Sequence, residues 1–175
     1  DAGKPYEVFN YGNEGWGQID LLYATKHSVN TIFVPLGIKV GPDNVVDVAR
    51  RAGIPDSVAM MPTPSVVLGT SSPHVIDVAN AYATFAAQGI KSKPFLVSQV
   101  IGSNKGVLYE ATPETQEVFS KEVMADLTYA LKGTITGGTG AAALGLGRPV
   151  AGKTGTSQSN ASAWFSAYTP QIAAS

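Results

Sequence analysis

The segment at residues 147–157, Gly-Arg-Pro-Val-Ala-Gly-Lys-Thr-Gly-Thr-Ser, places a lysine among glycines and hydroxyl side chains, a combination suited to binding an anion. Residues 147–154 match the pattern G-x-x-x-x-G-K-[ST], whose backbone N–H groups hold phosphates at the start of a helix. Residues 153–155 also form K-T-G, in which a strand presents a lysine and hydroxyl groups to a carboxylate beside a nucleophile. Because short patterns occur by chance, the flanking residues must decide between these two chemistries.

The phosphate-binding interpretation lacks its structural context. A phosphate loop requires a buried strand before its first glycine and a helix that begins at its lysine. The residues before Gly147 are Gly-Thr-Gly-Ala-Ala-Ala-Leu-Gly-Leu, which are poor strand formers, and no amphipathic helix follows Thr154. A nucleotide-binding module therefore remains the weaker alternative, and a nucleotide-dependent shift in melting temperature would reveal it.

The K-T-G interpretation has the surroundings that it requires. Residues 150–152, Val-Ala-Gly, predict a strand that runs directly into Lys153, followed by a polar turn and another strand. A lysine there holds a positive charge beside a nucleophile and a substrate carboxylate, which the hydroxyl groups of Thr154 and Thr156 can also bind. Gly155 has no side chain, so a peptide can lie close along the strand edge. The strand's N–H groups then offer a fixed donor to an oxyanion.

A second motif lies in a predicted helical segment, residues 19–37, near a break at His27-Ser28. Ser28-Val29-Asn30 has the form S-x-N, which is uninformative alone but precedes K-T-G in the penicillin-binding enzymes. Gly-Thr-Gly at 138–140 lies between the two motifs. Together with the segments 15–30, 68–89, 137–140 and 147–170, they resemble the transpeptidase domains of penicillin-binding proteins of the bifunctional class A type. The resemblance covers nearly the whole chain.

The resemblance implies a fold and a reaction. The fold is α+β, of the penicillin-binding protein and serine β-lactamase type, with an antiparallel sheet flanked by helices and no metal or cofactor. In this family a serine attacks the penultimate D-alanine of a peptidoglycan stem peptide, the terminal D-alanine leaves, and an amine from a neighbouring stem takes the acyl group. β-Lactams trap the serine as a slow ester. The implied location is the extracytoplasmic face of the bacterial membrane, with a glycosyltransferase domain outside this chain.

Specific roles follow from the same resemblance. Ser28 would pass protons to and from the leaving and attacking amines, Asn30 would hydrogen-bond the substrate's amide, and Lys153 would stabilise the charges around Ser28. The N–H of Thr156 would supply half of an oxyanion hole. The implied catalytic residues are Ser28, Asn30 and Lys153, and the implied substrate- and β-lactam-binding residues are Thr139, Thr154, Gly155 and Thr156.

The nucleophile itself is missing from the chain. The family's serine belongs to S-x-x-K on a helix, where residues three apart share a face, and no serine among the 175 residues has a lysine three positions later. None of Ser28, Thr154 and Thr156 has the paired lysine of an activated nucleophile. We therefore expect residues 1–175 to be part of one transpeptidase domain, incomplete at both ends, with the serine on an upstream fragment that associates with this chain.

Periodicity and capping residues predict the elements that carry these motifs. Ser72 is the predicted cap of one helix, Ser120 of another, and a hairpin is predicted to turn at 104–106. The predicted elements are helices at 19–37 (broken near His27-Ser28), 42–53, 72–89 and 119–133, a hairpin at 94–111, a small-residue loop at 134–149, and strands at 150–156 and 162–175, the last interrupted at Pro170.

Composition excludes several functions. With 44% hydrophobic and 14% charged residues the chain should be globular, and its net charge of −1 gives no footprint for nucleic acid. The absence of cysteine excludes disulfides and thiol catalysis, and His27 and His74 lack metal-ligand spacing. The apolar runs are shorter than the ~18 residues that cross a membrane, and residues 1–6 lack a signal-peptide core. Any membrane attachment is thus expected through an anchor outside the chain.

Two alternatives remain at this level. The chain could belong to a sensor or scaffold of the same fold that is acylated by β-lactams without turnover. Ser28 and Asn30, taken without Lys153, could also be ordinary helix-capping residues.

Overall fold

The computed structural model of the protein describes residues 7–157 and 161–175. Their helices and antiparallel strand pairs form an α+β fold, as the sequence predicts. The predicted polar turn after Thr156 includes residues 158–160, which lie outside the described residues, as do residues 1–6. The helices are α1 (Leu21–His27), α2 (Asn30–Val40), α3 (Pro42–Ala52), α4 (Val75–Ala86) and α5 (Lys121–Gly137), and the strands are β1 (Ile90–Ser92), β2 (Gln99–Ile101), β3 (Val107–Glu110), β4 (Thr115–Glu117), β5 (Ala151–Thr156), β6 (Ala163–Tyr168) and β7 (Ala173–Ala174).

A three-stranded antiparallel sheet in the order β5-β6-β7 carries the lysine motif. The register pairs Ala151 with Tyr168 at one end of β5 and Thr156 with Ala163 at the other. In the described part of the chain β5 pairs with β6 alone, so its second edge is open. The predicted interruption at Pro170 is confirmed, because this residue lies between β6 and β7.

Helix α5 fixes the position of β5. The hydroxyl of Thr134, which is fully buried, donates to the carbonyl of Leu131 at 2.8 Å and to the carbonyl of Gly152 in β5. Gly152 has no room for a side chain, since a Cβ would lie 2.6 Å from the Cβ of Ala167 on β6. Leu131, Ala151 and Tyr168 form a buried cluster between the helix and the sheet. The strand that carries Lys153 is therefore held on one face and along one edge.

The prediction that α5 ends at Gly133 is wrong. The helix continues to Gly137, and the segment predicted as a loop also contains a 3₁₀ helix, Ala141–Leu146. Ile135 and Thr134 are buried, so tertiary packing outweighs the low helix propensity of Gly133.

The predicted break in the first helical segment is confirmed. Helix α1 ends at His27, Ser28 adopts a left-handed conformation with φ +58°, and α2 begins at Asn30. Val29 is only 1% exposed, so the joint is anchored in the core. A left-handed conformation costs a non-glycine residue on the order of 1 kcal/mol, and such strain is concentrated at functional sites.

Helix α4 begins later than predicted. The expected cap was Ser72, but the helix starts at Val75, and the backbone N–H of His74 donates to the Asp77 carboxylate at 3.1 Å. An acidic residue three positions into a helix satisfies the N-cap donor in this way, so His74 takes the place predicted for Ser72.

The remaining helix and strand pairs complete the fold. Helix α3 begins at Pro42 and stops before Gly53, and the hairpin of β2 and β3 turns through 104–106, both as predicted. The antiparallel pairing of β1 with β4 was not predicted. Among the helices that the structure describes, none has both the length and the apolar character of a membrane-spanning segment.

Candidate functional site

Two motifs far apart in the sequence meet at one point. The Nζ of Lys153, on β5, donates a hydrogen bond to the Oγ of Ser28 at 2.8 Å, and it also donates to the carbonyl of Thr154 at 2.9 Å. The joint between α1 and α2 aims the Ser28 side chain, since its own N–H donates to the carbonyl of Thr25 at 3.3 Å. The structure thus brings together two of the three residues predicted to be catalytic.

The Ser28–Lys153 pair qualifies an expectation from the sequence. No lysine lies three positions after Ser28, yet the fold supplies one from a distant strand. Burial lowers the pKa of the Lys153 ammonium from its usual value to about 8, because the enclosed site solvates the charge poorly. At neutral pH the ammonium still predominates, and it acts as a donor to Ser28 rather than as a base.

Asn30 occupies the first residue of α2. Its Nδ2 donates to the carbonyl of Phe9 at 2.9 Å, which holds the segment before α1 against α2. No hydrogen bond found among the described residues uses its Oδ1, so this oxygen is able to accept from a ligand. The N-cap of α2 is Val29, and the Ser28 hydroxyl accepts from Lys153, so capping does not account for either side chain.

Two threonine hydroxyl groups lie at the exposed side of the site. The Oγ1 of Thr154 donates to the Oγ1 of Thr139 at 2.6 Å. The backbone N–H of Thr139 in turn donates to the carbonyl of Lys26, at 3.3 Å, on the last turn of α1. Thr139 therefore lies between Thr154 and the end of α1, and its part in substrate binding stays a prediction.

Gly155 and Thr156 complete the end of β5. They pair with Trp164 and Ala163 of β6. A Cβ on Gly155 would meet its nearest neighbour, the Cβ of Trp164, at an ordinary 3.5 Å, so the packing of the described residues does not require glycine there. The absence of a side chain instead leaves the open edge of β5 accessible to a ligand backbone.

A cleft of about 310 Å³ opens beside Lys153. The sheet contributes Thr154, Trp164 and Ser166, while the facing wall is made by α3, α4 and the 3₁₀ turn Val66–Leu68. Most of the lining is apolar, and its polar side chains include those of Lys153, Thr154 and Ser166. Clefts with an apolar wall and a few convergent polar groups are the usual form of binding sites in proteins.

Two supporting residues were missed by sequence reasoning. Thr134 fixes the position of β5, and the carbonyl of Lys26 accepts from Thr139 in the loop at 138–140. Their roles arise from backbone contacts between distant segments, for which no local pattern exists. The repeated glycines at 137, 138 and 140 were the available signal, since clustered glycines often mark a close approach of two backbones.

Sequence comparisons connect this site with a family. A family model described as the penicillin binding protein transpeptidase domain matches residues 1–174. Penicillin-binding protein 1A of Aquifex aeolicus is 36% identical over 170 residues, which are 97% of this chain and 23% of that protein. The chain thus spans about a quarter of the length of this relative.

Solved structures share the fold. The PonA1 protein of Mycobacterium tuberculosis in complex with penicillin V is 33% identical, with a TM-score of 0.82, over 95% of this chain and 49% of that chain. Penicillin-binding protein 1A of Haemophilus influenzae has a TM-score of 0.90 over 99% of this chain and 32% of that chain, and at 19% identity it supports the fold alone. The predicted fold type is therefore confirmed. With both motifs in contact and a family model covering 1–174, the chain belongs to the transpeptidase family of penicillin-binding proteins.

Proposed function

We propose that residues 1–175 form part of the transpeptidase domain of a peptidoglycan-cross-linking D,D-transpeptidase. The observation that carries this proposal is the hydrogen bond from Lys153 to Ser28, since it puts a cation of lowered pKa against a hydroxyl beside an open strand edge. Such a pair can stabilise negative charge and pass protons, which an acyl transfer through a serine ester requires.

The stem peptide would bind as an added strand along the open edge of β5. Backbone N–H and C=O groups of an edge strand give affinity to an extended peptide, and Gly155 admits its close approach. The hydroxyl groups of Thr154 and Thr156 would bind the terminal carboxylate, and Thr139 lies beside them in contact with Thr154. Asn30 would accept from the substrate's amide through its Oδ1.

The nucleophile would come from a segment outside these residues that bears a serine with a lysine three positions later. The apolar cleft beside Lys153 would accommodate a helix face from that segment, close to the Ser28 that Lys153 contacts. This association makes the upstream segment the first partner that we propose for the chain.

The proposed reaction balances in two steps. The serine oxygen forms an ester with the carbonyl carbon of the penultimate D-alanine and its proton passes to Ser28, while the amide bond breaks and terminal D-alanine leaves with the proton that Ser28 gives to its nitrogen. An amine from a second stem peptide then attacks the ester, loses a proton through Ser28, and returns the serine hydroxyl. The Thr156 N–H would stabilise the oxyanion in both steps, together with a donor outside the chain.

The wider proposals follow from the family. β-Lactams would acylate the same serine, in keeping with the penicillin V complex of the M. tuberculosis relative. The intact protein would act at the extracytoplasmic face of a bacterial membrane, held by an anchor outside the chain. It would also carry the glycosyltransferase activity of bifunctional relatives.

Turnover by the intact protein tests this proposal against a β-lactam sensor of the same fold. With a stem pentapeptide and an amine acceptor, we expect release of one D-alanine for each amide product formed, and penicillin should block both. Mass spectrometry of the peptides and an assay for D-alanine measure this ratio. Acylation by penicillin without D-alanine release would favour the sensor.

The pH dependence of acylation tests the state of Lys153. Because its pKa is about 8, the ammonium is lost as pH rises through that value, and we expect the acylation rate of the intact protein by penicillin to fall there. Lys153→Arg keeps its charge at these pH values and should lose the fall near pH 8 even if its overall rate is lower. The measurement is the acylation rate from about pH 6 to pH 10. A rate that instead rises through pH 8 in the parent protein would mean that neutral Lys153 acts as a base.

A further inference from the structure

The short loop at residues 138–140 joins the two halves of the candidate site. It follows α5, and Thr139 is its central residue. Through its backbone N–H, Thr139 contacts the carbonyl of Lys26, two residues before Ser28. Through its Oγ1 it accepts from Thr154, the residue after Lys153. Thr139 thus hydrogen-bonds to residues within two positions of both Ser28 and Lys153.

The loop at 138–140 approaches the neighbouring residues too closely for side chains at its glycines. A Cβ on Gly138 would collide with the Lys26 carbonyl oxygen and would lie 2.8 Å from the Lys26 Cγ, so this position must be glycine. A Cβ on Gly140 would lie 2.8 Å from the Cδ1 of Ile135. The N–H groups of Gly138 and Gly140 both donate to the carbonyl of Thr134, at 3.1 and 2.9 Å. The loop is therefore packed closely against α1 and hydrogen-bonded to α5.

The Ser28–Lys153 hydrogen bond needs support from a loop of this kind. Ser28 lies at a joint between two helices, and Lys153 lies on a strand that pairs with β6 alone in the described part of the chain. The bond from Thr134 to Gly152 holds the start of β5. Beyond Lys153, the Thr154–Thr139 bond is the link that ties β5 back to the end of α1. A small shift at this point is enough to misplace a catalytic pair.

From this geometry we infer that Thr139 is a positioning residue, which sets the Ser28–Lys153 contact by bonding to Lys26 and Thr154, rather than a direct ligand to the substrate. The inference rests on the proposed function, because its consequence is expressed in acylation. A positioning role predicts a loss in the rate of the chemical step, whereas a direct contact with the carboxylate predicts weaker binding.

The test uses acylation of the intact protein by a fluorescent penicillin, with the rate constant and the dissociation constant measured separately. Thr139→Val removes the hydroxyl and should lower the acylation rate constant about tenfold with an unchanged dissociation constant. Thr139→Ser keeps the acceptor and should restore the rate. Thr136→Val is the matched control, because the hydroxyl of the exposed Thr136 donates within α5, to the Lys132 carbonyl at 3.2 Å, and makes no other hydrogen bond among the described residues.

The outcomes separate the alternatives. An unchanged rate constant in the valine variant overturns the inference, as does a weaker dissociation constant with a normal rate, which would make Thr139 a direct ligand. A serine variant as slow as the valine variant also overturns it. If the parent protein is not acylated at all, the proposed function fails and the inference falls with it. Thr139 is exposed, so the valine variant should fold, and its melting temperature checks this.

Discussion

Replacing Lys153 with alanine is expected to slow acylation of the intact protein by penicillin by about 10³-fold, the upper part of the range for loss of one electrostatic stabiliser. The variant loses the cation that donates to Ser28 at 2.8 Å, and with it the charge that would attract a substrate carboxylate to the open edge of β5. Both losses act where negative charge develops in the transition state. The measurement is the acylation rate with a fluorescent penicillin under single-turnover conditions.

The fold should survive this substitution. Lys153 is half-buried, and its ammonium hydrogen-bonds to Ser28 and to the neighbouring carbonyl of Thr154 in the described part of the chain, so its loss should cost little core packing. We expect the melting temperature to change by no more than about 3 °C. Lys132→Ala, at an exposed lysine on α5, is the matched control and should acylate at the parent rate. Wild-type acylation in the Lys153 variant would remove this residue from the proposed mechanism.

The sequence predicted those elements whose signals are local. The start of α3 at Pro42 and the strand interruption at Pro170 follow from prolines, which restrict the backbone conformation where they stand, and the helix break near Ser28 also lies where it was predicted. The predicted cap of α4 was wrong because the carboxylate of Asp77, inside the helix, accepts from the backbone N–H of His74 and so makes His74, rather than Ser72, the N-cap. The predicted end of α5 was wrong because the burial of Thr134 outweighs the low helix propensity of Gly133.

In the site too, local motifs were predictable and contacts between distant segments were not. Lys153 and Ser28 were found by motif, and the resemblance predicted that they would act together. Their direct contact could not be derived from spacing, since it depends on how α5 holds β5 and how the loop at 138–140 meets α1. The cleft beside Lys153 was also unpredictable, because its walls come from five elements of the fold, α3, α4, the 3₁₀ turn, β5 and β6. Contacts between backbones distant in sequence leave no local periodicity to detect.

The 175-residue chain alone is expected to form no covalent adduct with penicillin at about pH 7. Ser28 is the hydroxyl that we would expect to be most reactive, because the amine of Lys153 hydrogen-bonds to it. With a pKa of about 8, however, Lys153 is mainly protonated at this pH, so it donates to Ser28 and cannot take the proton that a nucleophilic serine must lose. The hydroxyl of Thr154 donates to that of Thr139. In the described part of the chain no titratable base hydrogen-bonds to the hydroxyl of Thr154 or of Thr139.

An upstream fragment with a serine and a lysine three positions later supplies the positive control. Mixing it with the chain should restore labelling by fluorescent penicillin, with the adduct on the fragment's serine and none on residues 1–175. Intact-mass measurement followed by peptide mapping distinguishes the two. If the chain alone gains the mass of penicillin, Ser28→Ala identifies the acceptor, and an adduct lost in that variant would make Ser28 the nucleophile. Raising the pH deprotonates Lys153, so repeating the incubation near pH 9 is the most demanding form of the test. If labelling stays absent there, a neutral lysine beside Ser28 is insufficient without the upstream segment.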